Sequence, residues 1–573
     1  MRRRAIVLGL VSTVAVVAVA APAAAKNGGQ GVKGDPIVDL RGKDTGGHYP
    51  TVDVQAKDNS FDPQNIRISV GVTVKWTNKG RIPHNIKAAD SKQDFGKKFG
   101  VDTASFAPAK TYSFTFNAPG TYSYYCTLHG APNAGMFGNV IVGNVKAGGS
   151  SSAAAKKLRS GTLRVPKDFK TVQQAVDSAK PGALVLVAPG VYHEAVTVSG
   201  EHKNIVIRGE SRSKTVLDGD FSEEPGHENG FKVLANGVAI ENMTARNFKS
   251  NGFYWTGVKG YRGSYLTSIR AGDYGIYAFD SVNGQFDHDY GAGSPDAGFY
   301  IGQCYPCNAL MIDDEAEWNG LGYSGTNAGG RLYIVRSSFH HNRAGIVPNS
   351  GTGEKNPPER GTTMTGNLVY SNNNGQTAAI DIAKLAIGNG ILFAGGNENV
   401  AQRNLVYDHD LSGIAAIPLP EKLINPNNPN AINFNAENNK ILDNVVKDSR
   451  QFDIGIVSTI DSDTASGGNC ASGNTFTTSM PANIEQVAPC TGTGSAPFKT
   501  DLARFASLLT RDTPAAADYK TVKLPDPPAS ALADMPNATK AKARPATNEP
   551  SIKIKLASIK VPQAPATTTT TAG

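Results

Sequence analysis

The chain has 573 residues, 62 of them glycine and 33 proline, and a formal net charge of +8. That length exceeds one ordinary domain, and the glycine and proline content points to many turns. The charge does not signal a nucleic-acid partner: Arg2, Arg3 and Arg4, with a tail from Asp501 onward carrying ten basic and six acidic residues, leave +1 for everything between. No concentrated basic footprint marks the body of the chain.

In chain order, residues 1–25, "MRRRAIVLGLVSTVAVVAVAAPAAA", pattern as a secretory signal peptide: an arginine cluster, an apolar stretch, then the small-residue site Ala23-Ala24-Ala25. The apolar run is short for a bilayer span and no later segment is apolar enough to make one, so the expectation is an exported, soluble protein without stable membrane insertion. Residues 26–47 are Gly-rich and polar and are predicted to be a flexible linker. From 48 to 145 the runs "TVDVQAKD", "NIRISVG", "VTVKWTN", "TYSFTFN", "GTYSYYC" and "GNVIVG" alternate between turn residues. They predict a small all-β sandwich. Residues 146–157 have linker composition.

The segment 158–495 repeats. A small-residue turn followed by glycine and an apolar residue recurs at Gly252, Gly275, Gly298, Gly322, Gly345, Gly390, Gly413 and Gly455. The first four steps are 23, 23, 24 and 23 residues, and the later ones are 45, 23 and 42. Short strands, polar turns and no helical period or leucine framework predict a parallel β-helix, with Val172 to Ala179 as a short amphipathic helix capping its first coil. Its start, "LRVPKDFKTVQQAVDSAKPGALVLVAPGVYHEAVTV", resembles that of secreted pectin-lyase-like β-helix proteins, which implies a right-handed solenoid. From 496 to 573 the Ala/Pro/Thr-rich composition predicts mostly disorder, apart from a helix at "LARFASLLTR" and a docking hint in "SIKIKLASIKV".

Five cysteines are present. Export favours disulfides, and Cys304 with Cys307 and Cys470 with Cys490 are local pairs, structural rather than redox because no thioredoxin-like βαβ pattern flanks them. Cys126 is left over, in the sandwich. Met136 follows "CTLH" in the same loop, and His84 lies upstream in "IPHNI". A buried core residue, a thiol nucleophile with a histidine base, and a zinc ligand are all open readings of Cys126. One thiolate, two imidazoles and a thioether are, however, the donor set of a trigonal copper site with a weak axial ligand, and the methionine is idle in the other readings.

Here "PHNI", "YYCTLH" and "GMFGNVIV" resemble the plastocyanin/azurin family of cupredoxins. The resemblance implies one type 1 copper on His84, Cys126, His129 and Met136. It also implies one-electron exchange with a redox partner protein or a copper acceptor. Six residues separate His129 from Met136, a longer loop than plastocyanin itself has.

Counting nine residues back from the repeat glycines gives Met243, Leu266, Asp289, Asp313 and Arg336, with Asp287, His288, Asp314 and Glu315 nearby. An acidic–acidic–basic column would suit a calcium ion and a sugar acid, although β-helix exteriors carry polar ladders in any case and the 24-residue step leaves the register open by one. His340-His341, and His409 between Asp408 and Asp410, are read as solvated turn residues.

Fold resemblance points two ways. Pectin-lyase-like proteins cut or bind polysaccharides, whereas periplasmic β-helix proteins of nitrous oxide reductase maturation are associated with copper-site assembly. The expectation is an all-β exported copper protein whose β-helix binds a surface glycan or a partner. The alternatives are a carbohydrate-active enzyme (lyase, hydrolase or epimerase) with an accessory cupredoxin, and a cell-surface binding protein without catalysis.

Overall fold

The computed structural model describes residues 37–41, 51–145 apart from 58, 81–82, 90–98 and 133, and 158–565 apart from 225, 353 and 425–430. The expected signal peptide and the linker at 146–157 lie outside them. Among the described residues no helix is long and apolar enough to cross a membrane.

The first unit is a β-sandwich. Its strands are β1 (Val38–Asp39), β2 (Thr51–Lys57), β3 (Ser60–Asp62), β4 (Asn65–Ile68), β5 (Thr73–Asn78), β6 (Lys87–Ala88), β7 (Thr111–Thr115), β8 (Gly120–Ala131) and β9 (Ala134–Val142). One sheet has the order β1-β4-β9-β8-β6 and the other β3-β2-β5-β7. Alternation decides which residues meet between them: Val54 and Ala56 of β2, Val74 and Trp76 of β5, Ile66 and Ile68 of β4 and Val140 and Val142 of β9 all point inward and are buried. Trp76 packs edge-on against Tyr124 at 5.3 Å, which fills the centre of the sandwich. Part of the expected linker is not loose: Val38 and Asp39 pair in parallel with Ile66 and Arg67, extending the first sheet by one edge strand.

The second unit is a parallel β-helix, with one continuous 20-stranded sheet and a separate 11-stranded sheet. A typical coil contributes three strands, Ala309–Ile312, Glu315–Glu317 and Leu321–Thr326, each paired in parallel with its equivalent in the next coil. Inward-facing Val, Ile, Leu, Phe and Ala stack into a single core along the solenoid. The predicted cap forms as Val172–Val176, with the Thr171 hydroxyl accepting from the Gln174 N–H and Val172, Ala175 and Val176 buried on the first coil.

The repeat glycines have a steric cause. A Cβ at Gly252 would stand 2.7 Å from the carbonyl of Gly275, and one at Gly345 would stand 2.5 Å from that of Gly390. Larger residues cannot stack there. The strand register aligns seven of the eight; the last, Gly455, pairs with Ala415, so Asp453 rather than Gly455 continues the column after Gly413. At the turns, side-chain ladders close the backbone groups that the strands leave open. Asn367, Asn404 and Asn444 each accept, on Oδ1, the backbone N–H of the preceding ladder residue at 2.9–3.0 Å.

The cysteines pair as Cys304–Cys307 and Cys470–Cys490, and Cys126 is free and buried. The tail is a correction. Residues 496–565 are predicted to be mostly disordered, yet they run back along the solenoid and return. Arg343 donates to the Pro514 carbonyl at 2.6 Å, Arg208 to that of Ala541 at 2.7 Å, and Arg403 to that of Leu556 at 2.9 Å. The predicted helix in this tail is present as Leu502–Leu509, capped by Asp501. "SIKIKLASIKV" docks, as hinted, but as irregular chain: Ile559, Ile554 and Leu556 cover Leu310, Ile312 and Val335.

Candidate metal centre

The centre is built by an irregularity in one hairpin. β8 and β9 pair regularly up to Tyr125↔Phe137 and again from Gly130↔Gly135. Between those pairs, residues 126–129 of β8 stand opposite Met136 alone, so the strand bulges. The bulge brings Cys126 and His129 together against the sandwich core, and it faces Met136, which is fully buried in the same cluster as Cys126. The third element is the loop before β6, which carries His84. Its backbone N–H donates to the Phe106 carbonyl at 3.2 Å. Asn85 locks this loop to the bulge twice: its Nδ2 donates to Thr127 Oγ1 at 2.7 Å, and its Oδ1 accepts the Thr127 N–H at 2.8 Å.

Cys126 Sγ lies 3.8 Å from His84 Nδ1 and 3.6 Å from His129 Nδ1, and the three donor atoms all lie within 4.8 Å of one another. One ion bound at about 2.3 Å to sulfur and about 2.0–2.1 Å to nitrogen, with angles of 110–120°, separates those donors by roughly 3.6–3.8 Å. The residues fit a single ion. Burial raises the Cys126 thiol above its ordinary value, opposed by backbone donors from Asn85, His129 and Leu128. Burial, then the neighbouring His84, holds His129 well below the usual imidazole range. A metal is ligated by neutral imidazole and by thiolate, so binding an ion here releases the Cys126 proton.

A lysine of the β-helix reaches this loop. Lys232 Nζ donates to the carbonyls of Gly130 at 2.8 Å, Thr127 at 3.2 Å and Leu128 at 3.3 Å. It is 8% exposed, and burial pushes its pKa down to about 8. In "FKV" the lysine alternates with inward Phe231 and Val233, and nothing in that pattern separates it from a solvated residue. One position along the same outward column, Tyr254 donates to Asn59 of the sandwich at 3.1 Å.

The family described as copper binding proteins, plastocyanin/azurin family, matches residues 50–143. Amicyanin-alpha of Methylorubrum extorquens is 36% identical over 92 residues, covering 16% of this chain and 71% of that protein. Plastocyanin of Scenedesmus fuscus is 34% identical over 85 residues, covering 14% and 85%. The chain belongs to the plastocyanin/azurin family. Among solved structures, the purple cupredoxin of Nitrosopumilus maritimus is similar at 27% identity, covering 16% of this chain and 98% of that one, with a TM-score of 0.13. The β-helix is similar to a mannuronan C-5 epimerase A-module of Azotobacter vinelandii at 12% identity and a TM-score of 0.37, covering 57% and 91%. That likeness carries nothing about activity.

Outside the cupredoxin, the column counted as Asp289-Asp313-Arg336 does not form. His288, Asp313 and Arg336 share one left-handed turn position, with φ of 59°, 59° and 51°. Asp313 and Arg336 make a closed bidentate pair at 2.9 and 2.6 Å. Asp289 sits one position further on, buried, where it accepts the Leu266 N–H, and its own N–H goes to Asp314. The 24-residue step shifted the count by one and turned Asp289 from the surface into the ladder. The acidic pair that a calcium ion would bridge is therefore not assembled. His340 and His409 are also corrected: both end strands and are buried, at 7% and 2% exposure, instead of lying in solvated turns.

Proposed function

We propose that this is an exported one-electron-transfer protein whose cupredoxin binds a type 1 copper through His84, Cys126 and His129, with Met136 as the weak axial ligand. The observation that carries the reading is the convergence of Cys126 Sγ with the two Nδ1 atoms at 3.6 and 3.8 Å. When bound, copper supplies a one-electron couple, and the mixed soft and borderline donor set suits both of its oxidation states. The chain's own part is rigidity. Asn85 ties the His84 loop to Thr127, the sandwich core holds Cys126 and Met136, and Lys232 pins the carbonyls of the bulge. Donors held this way move little when the charge on the site changes by one.

The partner is a redox protein or a copper acceptor, and the β-helix is the rigid body that presents the site to it. Export is supported by the signal-like first 25 residues and by two disulfides. A redox titration of the copper-loaded full chain tests this. A reversible one-electron couple is expected, with a midpoint that rises in Met136→Leu while copper is retained, because the axial ligand tunes the site more than it holds the metal. Loss of copper in Met136→Leu, or the absence of a reversible couple in the wild type, contradicts the reading.

A further inference from the structure

The geometry points to a second metal site, on the β-helix, in which His340, His341 and Glu317 bind a divalent ion of the zinc class. The stacking of coils brings these residues together. Glu317 and His340 are register partners on neighbouring coils, and His341 follows in the left-handed turn conformation, φ 53°, which returns its ring toward His340. The two Nδ1 atoms are 2.8 Å apart, and His340 Nδ1 is 3.7 Å from Glu317 Oε2. In a tetrahedral site with bonds of about 2.0–2.1 Å, neighbouring donors stand roughly 3.3–3.4 Å apart. The first separation is shorter and the second longer than that value, and the donor atoms of all three residues lie within 4.8 Å of one another, so an ion fits once the exposed His341 ring moves away from His340 by about half an ångström.

The surroundings orient these donors. His340 Nε2 meets Glu315 Oε1 at 3.1 Å, which places the ring proton on Nε2 and leaves the Nδ1 lone pair facing the cluster. A carboxylate on the far nitrogen is the usual support of a metal-bound histidine. Tyr290 donates to Glu317 Oε1 at 2.7 Å and leaves Oε2 on the side of the imidazoles. Tyr370 stacks on His340 at 4.7 Å and 17°, fixing the plane of the ring. His340 and Glu317 are buried while His341 is exposed, so the ion would have three protein ligands and one side open to water. Two imidazoles and a carboxylate, without sulfur, select a borderline divalent ion over Cu(I). The site is independent of the copper reading, since none of its residues belongs to the cupredoxin.

Cobalt(II) is the probe. The full chain is first loaded with one equivalent of Cu(I), which the soft Cys126 set accepts and the sulfur-free set disfavours, and is then titrated with cobalt(II) chloride. The expected result is one further equivalent bound, with the weak visible bands of a four- or five-coordinate N/O site and no thiolate charge-transfer band. His341→Ala and, separately, Glu317→Gln should weaken cobalt binding at least tenfold and leave the copper stoichiometry unchanged. His341 is exposed, so its removal does not threaten the fold, and far-UV circular dichroism checks both variants. Wild type that takes up no second ion, cobalt retained at full affinity in His341→Ala, or a thiolate band on cobalt addition would each overturn the proposal.

Discussion

At the scale of single residues, the site rests on donors of complementary kinds and on one lysine from outside the domain. The proposed ligands His84, Cys126, His129 and Met136 stand out in the sequence because their types have one joint use, and the fold brings the donor atoms of His84, Cys126 and His129 within 4.8 Å of one another. Lys232 and Asn85 are not legible, because an outward lysine on a strand and an asparagine beside a histidine are ordinary until the fold brings them to the bulge. Lys232 carries a testable consequence. With its pKa at about 8 the ammonium is mostly charged at neutral pH, and a fixed positive charge near the site favours the reduced, less positive state of the metal. Lys232→Met should therefore lower the midpoint potential of the copper-loaded protein, on the order of 50 mV at an effective dielectric of about 20–40. Cyclic voltammetry on both proteins measures it. An unchanged or raised potential contradicts an electrostatic role for this lysine.

At the scale of elements, the solenoid is a stack whose turns are closed by side chains. The period is readable from Gly252 to Gly413 because a Cβ there meets the next coil's carbonyl or, at Gly298, the side chains of Asn319 and Ala316. It is unreliable where steps vary: the count misses the column by one residue at Asp289 and by two at Gly455, since a count along the chain cannot see which turn absorbs an insertion. One ladder begins at a buried acid. Glu359 accepts from Asn399 Nδ2 at 2.7 Å and from Thr362 Oγ1 at 2.9 Å, and burial pushes its pKa up to about 8. The folded state thus holds a proton that the unfolded chain releases at about 4.5. This contribution to stability is fully present below that pH and is lost as pH rises through about 8, by roughly 3–5 kcal/mol in all. Glu359→Gln should flatten this part of the pH profile of chemical denaturation between pH 5 and 8. An equal slope in both proteins would show that Glu359 is ionised in the fold.

At the scale of the whole molecule, the tail is a strap that composition could not reveal. Alanine, proline and threonine predict disorder. The docking depends on isolated apolar residues meeting matching faces, such as Ala546 on Leu186, Val206 and Ala239. It depends equally on buried charge. Glu549 pairs with Arg262 at 2.8 Å, and Arg262 and Arg208 both pair with Glu241, all four side chains at 2% exposure or less. Removing one partner of a buried ion network leaves the others uncompensated, which costs about 3–5 kcal/mol. A chain ending at residue 512 should therefore unfold at lower denaturant and bind an apolar dye. An unchanged midpoint would show that the strap contributes nothing to the solenoid's stability. The cupredoxin, by contrast, touches the β-helix through Lys232, on the carbonyls of the bulge, and Tyr254, on Asn59. The central claim is that His84, Cys126 and His129 hold one copper. Absorption and electron paramagnetic resonance spectra of the full chain with one equivalent of Cu(II) test it most directly. The expected result is an intense visible thiolate-to-copper band with a narrow parallel hyperfine splitting, both lost in Cys126→Ser; a copper-loaded, colourless wild type would contradict it.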